Sequence, residues 1–433
     1  MLLALAACAS GPDYERPALA LPTTFKEAGP WKPAQPTLAD INQPWWTRYG
    51  DAELDALVVR ANSASQDILV AEANYRQAQA AAQLARSSYA PTLSTALSAG
   101  RARTQTPQNP GPSTSVALSL SASWEPDIWG RVQRLVEAGE ANAQASAADL
   151  AAARLSIQVV LVQDYLQLRV IDAQKELLRN TVQQYQRALA IARSQLKAGI
   201  VTRSDVALAE SQLQSANALL IDLDVQRSQF EHAIAFLAGK APADLTITPR
   251  PDGAVGAALP EVPATLPSHL LERRPDIAAA ERRAAAANAS IGVAQAAYFP
   301  DLVLSTGGGL VGTGLPEVLN APARVWSLGA TLAGVLFDGG ARKARSEAAV
   351  AAYDAAAATY KRAVLAGLQE VEDNLAALRV LESDREVQQA AVAAAEIAAR
   401  VCLAQYRAGT ATYLAVVYGQ HRRTQTELHG LHQ

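Results

Sequence analysis

The chain carries one pattern twice, and this duplication limits its possible folds more than any other feature. Ser88-Tyr89-Ala90-Pro91-Thr92-Leu93 returns as Ala297-Tyr298-Phe299-Pro300-Asp301-Leu302. Ala198-Gly199-Ile200-Val201-Thr202 returns as Ala408-Gly409-Thr410-Ala411-Thr412. Between these landmarks each copy runs in the same order: helix, proline break, two alternating strands, glycine-containing turn, very long alanine-rich helix. Such a unit is far longer than the repeats of about 20–50 residues that build solenoids, so it reads as a duplicated half-fold. The first copy spans 51–238 and the second 267–433, joined by a linker at 239–266 and preceded by an extended segment at 9–50.

The strands are the most diagnostic part. Val116, Leu118, Leu120, Ala122 and Trp124 alternate with Ala117, Ser119, Ser121 and Ser123, giving one oily face and one face of small polar residues. The same period appears around Leu93 and Leu97, around Leu302, Leu304 and Leu310, and from Val325 to Phe337 through Trp326, Leu328, Leu332 and Leu336. Each run is about the 9–11 residues that a tilted strand needs to cross a bilayer, or slightly longer. The connecting stretches 105–112 and 313–323 are rich in Pro, Gly and Asn and read as surface loops. Gly307-Gly308-Gly309 lies within a strand, where small residues permit bending or close packing rather than phosphate binding. Four strands cannot close a membrane barrel, the smallest having about eight, and open edges are not tolerated in lipid. Several chains must therefore share one barrel, two supplying eight strands or three supplying twelve.

The helices point elsewhere. No proline interrupts 131–198 or 341–408, and each stretch makes a helix on the order of 100 Å if continuous. They carry too many charges to lie in lipid, and no run of 18 apolar residues suggests a membrane-crossing helix. They are expected to project into an aqueous space with coiled-coil-like packing, Ala141, Ala145, Ala148 and Ala152 permitting close approach. Gly199 and Gly409 end them, and Thr202 and Thr412 are candidate N-caps of the return helices at 203–238 and 412–433.

At the other end of the chain, Leu5-Ala6-Ala7-Cys8 closes a short apolar run and resembles a bacterial lipobox, with Cys8 the expected lipidation site. No Lys or Arg precedes that run, so the start of the signal is expected upstream. Gly11-Pro12-Asp13-Tyr14-Glu15-Arg16-Pro17 follows. Trp45-Trp46 with Gly50-Asp51 and Leu54, and Leu271-Glu272-Arg273-Arg274-Pro275-Asp276-Ile277 leading through Arg282-Arg283 to Ile291-Gly292, complete a set. Together these stretches resemble the NodT-type outer-membrane efflux lipoproteins, a branch of the TolC family, over nearly the whole chain.

The resemblance implies an α+β membrane protein with four transmembrane strands per chain. It selects the homotrimer, with a twelve-stranded barrel continued by a periplasmic α-helical barrel. It implies a passive outer-membrane exit duct for small toxic compounds in a tripartite system, with a periplasmic adaptor protein and an inner-membrane RND-type pump as partners. A non-conducting envelope scaffold or truncated remnant, and a type I protein-secretion channel, are the alternative readings. By the same resemblance the adaptor contacts are Gly199, Thr202, Asp205, Val206, Gly409 and Thr412. Relatives often carry acidic residues just past the second turn, but the matching positions here are Ala415 and Tyr418. These are the pore-constriction candidates, Tyr418 serving either as a constriction or as a packing residue. The second return helix also reaches only Gln433, shorter than the first.

Composition excludes other classes. A net charge of −3 and a pI near 6.0 give no basis for nucleic-acid binding. Two cysteines exclude a disulfide framework, and Cys402 reads as a small packing residue. His232, His269, His421, His429 and His432 lack a Cys or carboxylate cage, so no metal is expected. No nucleophile elbow, Walker A loop or zincin motif is present, so no catalytic residues and no cofactor beyond lipid on Cys8 are expected.

Overall fold

The computed structural model describes residues 10–19, 25–26, 44–103, 112–250, 274–320, 323–408 and 410–430. Helices α1 (Ala52–Ala64) and α2 (Gln66–Ser87) lead to strands β1 (Thr92–Arg103) and β2 (Pro112–Trp124). Helices α3 (Arg131–Lys197) and α4 (Arg203–Leu237) follow. The second half repeats the order with α5 (Pro275–Ala296), β3 (Asp301–Gly312), a short α6 (Leu315–Asn320), β4 (Ala323–Ala333), α7 (Ala341–Arg407) and α8 (Tyr413–Gly430). Both α3 and α7 are 67 residues long, about 100 Å each at helical rise.

Local chemistry explains the boundaries. Asp51 caps α1, its Oδ1 accepting from the amides of Glu53 at 2.9 Å and Leu54 at 3.3 Å. The i, i+3, i+4, i+7 positions Leu54, Leu57, Val58 and Ala61 are buried, worth roughly 1.5–3 kcal/mol for each large side chain. Pro275 opens α5 in its first turn, where a missing N–H costs nothing.

The sheet is fully antiparallel in the order β1-β2-β3-β4. Several details depart from expectation. The segment 51–89, whose sequence reads as a single helix, forms two, broken at Ser65. The stretch after β3 contains α6, anchored by Val318 beneath Gly312. Strand β4 ends at Ala333, leaving Leu336 and Phe337 exposed beyond it. Both long helices also contain windows apolar enough, by length and composition, to cross a membrane. Leu, Ile and Val mixed with alanine produce those windows, and the scattered charged and polar residues within them interrupt any apolar run, so a search for unbroken runs does not register them.

The chain divides into two compact units, and both repeats contribute to each. One holds the sheet, 72–150 and 274–365 together with the first N-terminal residues; the other holds 21–71, 151–273 and 366–433.

Candidate functional site: a two-faced sheet and paired helical tips

The register turns four alternating strands into one continuous two-faced wall. Leu93, Ala122, Thr306 and Leu328 form one cross-strand row, and Leu97, Leu118, Leu310 and Arg324 form another. These rows lie on one face, with Trp326 at 83% and Leu328 at 79% exposure. The opposite face carries the rows Ser94, Ser121, Gly307, Ser327 and Thr92, Ser123, Ser305, Gly329. Its hydroxyls partly satisfy one another, as in the 2.8 Å Ser94–Ser121 contact. Large apolar side chains presented this way face a hydrocarbon solvent, while the small polar face suits a wet interior. Gly309 brings the strands close: a Cβ there would lie 2.7 Å from the Leu118 carbonyl oxygen.

Aromatic groups gather where the strands meet the helices. Trp129 stacks on Phe299 at 4.7 Å and donates to the Pro300 carbonyl at 2.8 Å. Trp124 donates to the Tyr89 carbonyl at 3.0 Å. Indoles with an apolar body and a hydrogen-bonded tip suit a membrane–water boundary.

Residues 10–16 form a strap over the same unit. Ser10 donates from both N and Oγ to the Trp129 carbonyl, and Asn288 donates to that of Pro12 at 2.9 Å. The buried Arg134 binds the Ser10 and Gly11 carbonyls and the Asp13 carboxylate. Tyr14 donates to Glu281 at 2.8 Å. Burial and this neighbouring carboxylate push the Tyr14 phenol well above its usual range. Gly11 and Gly292 meet backbone to backbone, since a Cβ on Gly11 would stand 2.5 Å from the Gly292 Cα. The Arg282–Gly292 signature read from the sequence is thus the seat of the strap. Cys8 lies outside the described residues.

In the other unit the helical tips come together. Gly199 has φ of 73°, and the amides of Ile200 and Gly199 return to the carbonyls of Gln195 and Leu196, closing α3 in a Schellman turn. Thr202 caps α4 in a capping box: its Oγ1 accepts from the Asp205 amide and Asp205 accepts from the Thr202 amide. The Thr410 amide likewise returns to the Gln405 carbonyl at 2.9 Å, although Gly409 itself lies outside the described residues. Thr412 precedes α8, its carbonyl accepting from the Ala415 amide. Val206 packs against a cluster of Val182, Tyr185, Leu189, Leu213, Tyr406, Val416 and Val417. Tyr406 also donates to Gln195, so both tips share one core. Burial and the nearby Asp205 charge raise the Tyr406 phenol.

Of the constriction candidates, Ala415 is half-buried, and Tyr418 is 63% exposed within the protomer. They are three apart on α8 and share the face turned from Val416 and Val417. Ile200, at 71% exposure, is an apolar tip residue that sequence reasoning did not select. Cys402 packs toward Gly419 of α8.

Sequence reasoning also missed a buried charge cluster. Arg169, fully buried, binds Glu53 at 2.6 Å, Asp172 at 3.1 Å, the Tyr165 hydroxyl and the Thr248 carbonyl. Asp172 also receives Arg227 at 2.7 Å. The Tyr165 hydroxyl donates to Asp51 at 2.6 Å, and Arg250 pairs with the same carboxylate at 2.8 Å. Burial opposes ionisation of Asp51, but Tyr165, the amides of Leu54 and Glu53, and Arg250 outweigh it and lower its pKa. The Gly50-Asp51 pair of the N-terminal signature is therefore a helix cap wired into this cluster.

Residues 57–240 and 266–428 match the Outer membrane efflux protein family. The chain belongs to that family. It is 31% identical to the pyoverdine export outer membrane protein OpmQ of Pseudomonas aeruginosa over 96% of this chain and 88% of OpmQ. It is 30% identical to outer membrane protein OprJ of the same organism, with the same coverage. A solved structure of the outer-membrane channel OprN superposes with a TM-score of 0.90 at 29% identity, covering 98% of this chain and 95% of that one. The TolC-like resemblance read from the sequence holds, as does the fold of four antiparallel strands and long periplasmic helices. The protein is an outer-membrane efflux channel component, a member of a non-enzymatic family.

Proposed function

We propose that three copies close their sheets into one twelve-stranded barrel, held by lipid on Cys8. The assembly is the passive exit duct of a tripartite system driven by an RND-type inner-membrane pump. The observation that carries this is the two-faced sheet. Its outer strands β1 and β4 each have one neighbour among the described residues, and hydrocarbon leaves no water to satisfy the other edge. Closure with further copies supplies those partners, with the oily face outward and the Ser/Gly face lining the duct. The two repeats, 51–238 and 267–433, would each give one hairpin to the wall and one helical pair to the periplasmic tube.

The tips are the docking points for a periplasmic adaptor. Gly199, Thr202 and Asp205 fix the first turn while Ile200 stays exposed; Val206, Gly409 and Thr412 complete the contact set. Ala415 and Tyr418 face the entrance as a neutral constriction. An acidic ring would favour cations, and its lack at both positions suits cargo selected by the pump. OpmQ is named for pyoverdine export, consistent with small-molecule cargo.

Native mass spectrometry of protein extracted from outer membranes in mild detergent tests the assembly. A trimer bearing one diacyl or triacyl cysteine per chain is expected, with stable conductance in planar bilayers. A monomer, or a trimer that does not conduct, would favour a scaffold or remnant.

A further inference from the structure

The apolar face of the sheet has one gap. In the row Thr95, Leu120, Gly308, Trp326 the third position has no side chain. A groove of about 450 Å³ opens there, bounded by Leu118, Leu120, Leu310, Arg324 and Trp326. Packing does not impose the glycine: a Cβ on Gly308 would meet only the Val325 carbonyl oxygen, at 3.9 Å. This contrasts with Gly309, whose neighbours leave no room.

A cation heads this groove. Arg324 is the second residue of β4 and stands opposite Leu310, on the lipid-directed face. Arginine on that face is strongly penalised at the bilayer midplane and tolerated near the interface, where a headgroup phosphate can reach it. No carboxylate pairs with it among the described residues. Arg101 and Arg103 occupy the same face at the end of β1, again away from the long helices. Three guanidiniums at the outer ends of oily strands match phosphates at headgroup level.

We propose that the Gly308 groove and Arg324 form a binding site for a phosphorylated glycolipid of the outer leaflet. One acyl chain lies over Gly308 between Leu118, Leu120 and Trp326, and a headgroup phosphate takes the Arg324 fork. Within one chain β1 lies three strands, about 14 Å, from β4. Arg101 and Arg103 therefore reach this headgroup from the next copy, whose β1 closes on β4 in the barrel, and they favour a headgroup with more than one phosphate over a zwitterionic phospholipid. The proposal rests on the membrane-barrel reading above.

The full-length protein is delipidated in detergent and titrated with diphosphorylated lipid A or with phosphatidylethanolamine, bound lipid being read by native mass spectrometry. Bilayer insertion of the same preparation is scored by protease protection in phosphatidylethanolamine/phosphatidylglycerol vesicles. Lipid A is expected to bind the wild type in preference to phosphatidylethanolamine. Arg324→Gln should weaken it about tenfold, the loss of one charge-assisted contact, and Arg324→Lys should retain most of it. Gly308→Leu should block binding although every arginine remains, and Ser327→Ala on the opposite face should leave it unchanged. Equal lipid A binding by wild type, Arg324→Gln and Gly308→Leu, or no preference over phosphatidylethanolamine, overturns the site while insertion keeps the barrel. Failure to insert overturns the barrel reading and the site with it.

Discussion

The sheet and the buried arginine cluster treat side chains in opposite ways. The sheet leaves Trp326, Leu328 and Leu332 exposed, whereas the cluster hides Arg169, Asp172 and Arg227 from solvent. Each would be an error in a water-soluble domain, and each has its own remedy. The sheet needs a different solvent outside the chain. The cluster carries its own, in the form of carboxylates, carbonyls and a phenol that replace water around the guanidinium NH groups, with the buried Nε of Arg169 left unpaired. Exposure alone therefore says little about stability in such a protein; what matters is which medium meets each group.

The largest effect is expected inside the cluster. Asp172→Ala would leave Arg169 and Arg227 without their shared carboxylate, and breaking a buried pair costs about 3–5 kcal/mol. Loss of assembled protein, or a sharply lower unfolding temperature in detergent, would show it; an unchanged melting curve would mean the cluster is wet. Next comes a contrast across one strand. Leu328→Arg should cost about 2–4 kcal/mol if it lies near the bilayer midplane, whereas Ser327→Arg should assemble normally and lower cation conductance. Equal penalties from these neighbours would contradict the two-faced wall.

A third test uses acid. Asp51 ionises below its ordinary 3.8 in the folded chain, so its contribution is present above that value and fades as pH falls through the folded pKa. Arg250→Gln removes one cause of the depression and should move the acid-unfolding midpoint upward in a pH titration followed by circular dichroism. The smallest effect belongs to the tips. Thr202→Ala should cost about 1 kcal/mol, visible as faster amide exchange in the first turn of α4, with the sheet unaffected.

The same contrast decides what could be read from the sequence. The wall was legible because Val116–Trp124 alternates without interruption and Pro91 and Pro300 mark where the strands begin. The long helices were legible because nothing breaks them. The cluster was not, since Arg169 and Asp172 look like any exposed i, i+3 pair until α1 and the segment near Thr248 close over them. Helix α6 was hidden by Pro316 and its glycine-rich approach, which read as loop. The tips lay between these cases. Gly199, Thr202 and Asp205 announce a turn and cap by type and spacing, but the Tyr406–Gln195 link joining the two hairpins spans 211 positions and leaves no local trace.

The strap sets a schedule for making the protein. Its seat is furnished by Trp129, Arg134, Asn288 and Gly292, and the Asn288–Pro12 bond bridges 276 positions of chain. Residues 10–14 thus wait for a helix from the second half of the fold before they can settle. Closing so long a loop is slow but adds only logarithmically to its entropic cost. Within this unit, the strap is among the last pieces to find its place.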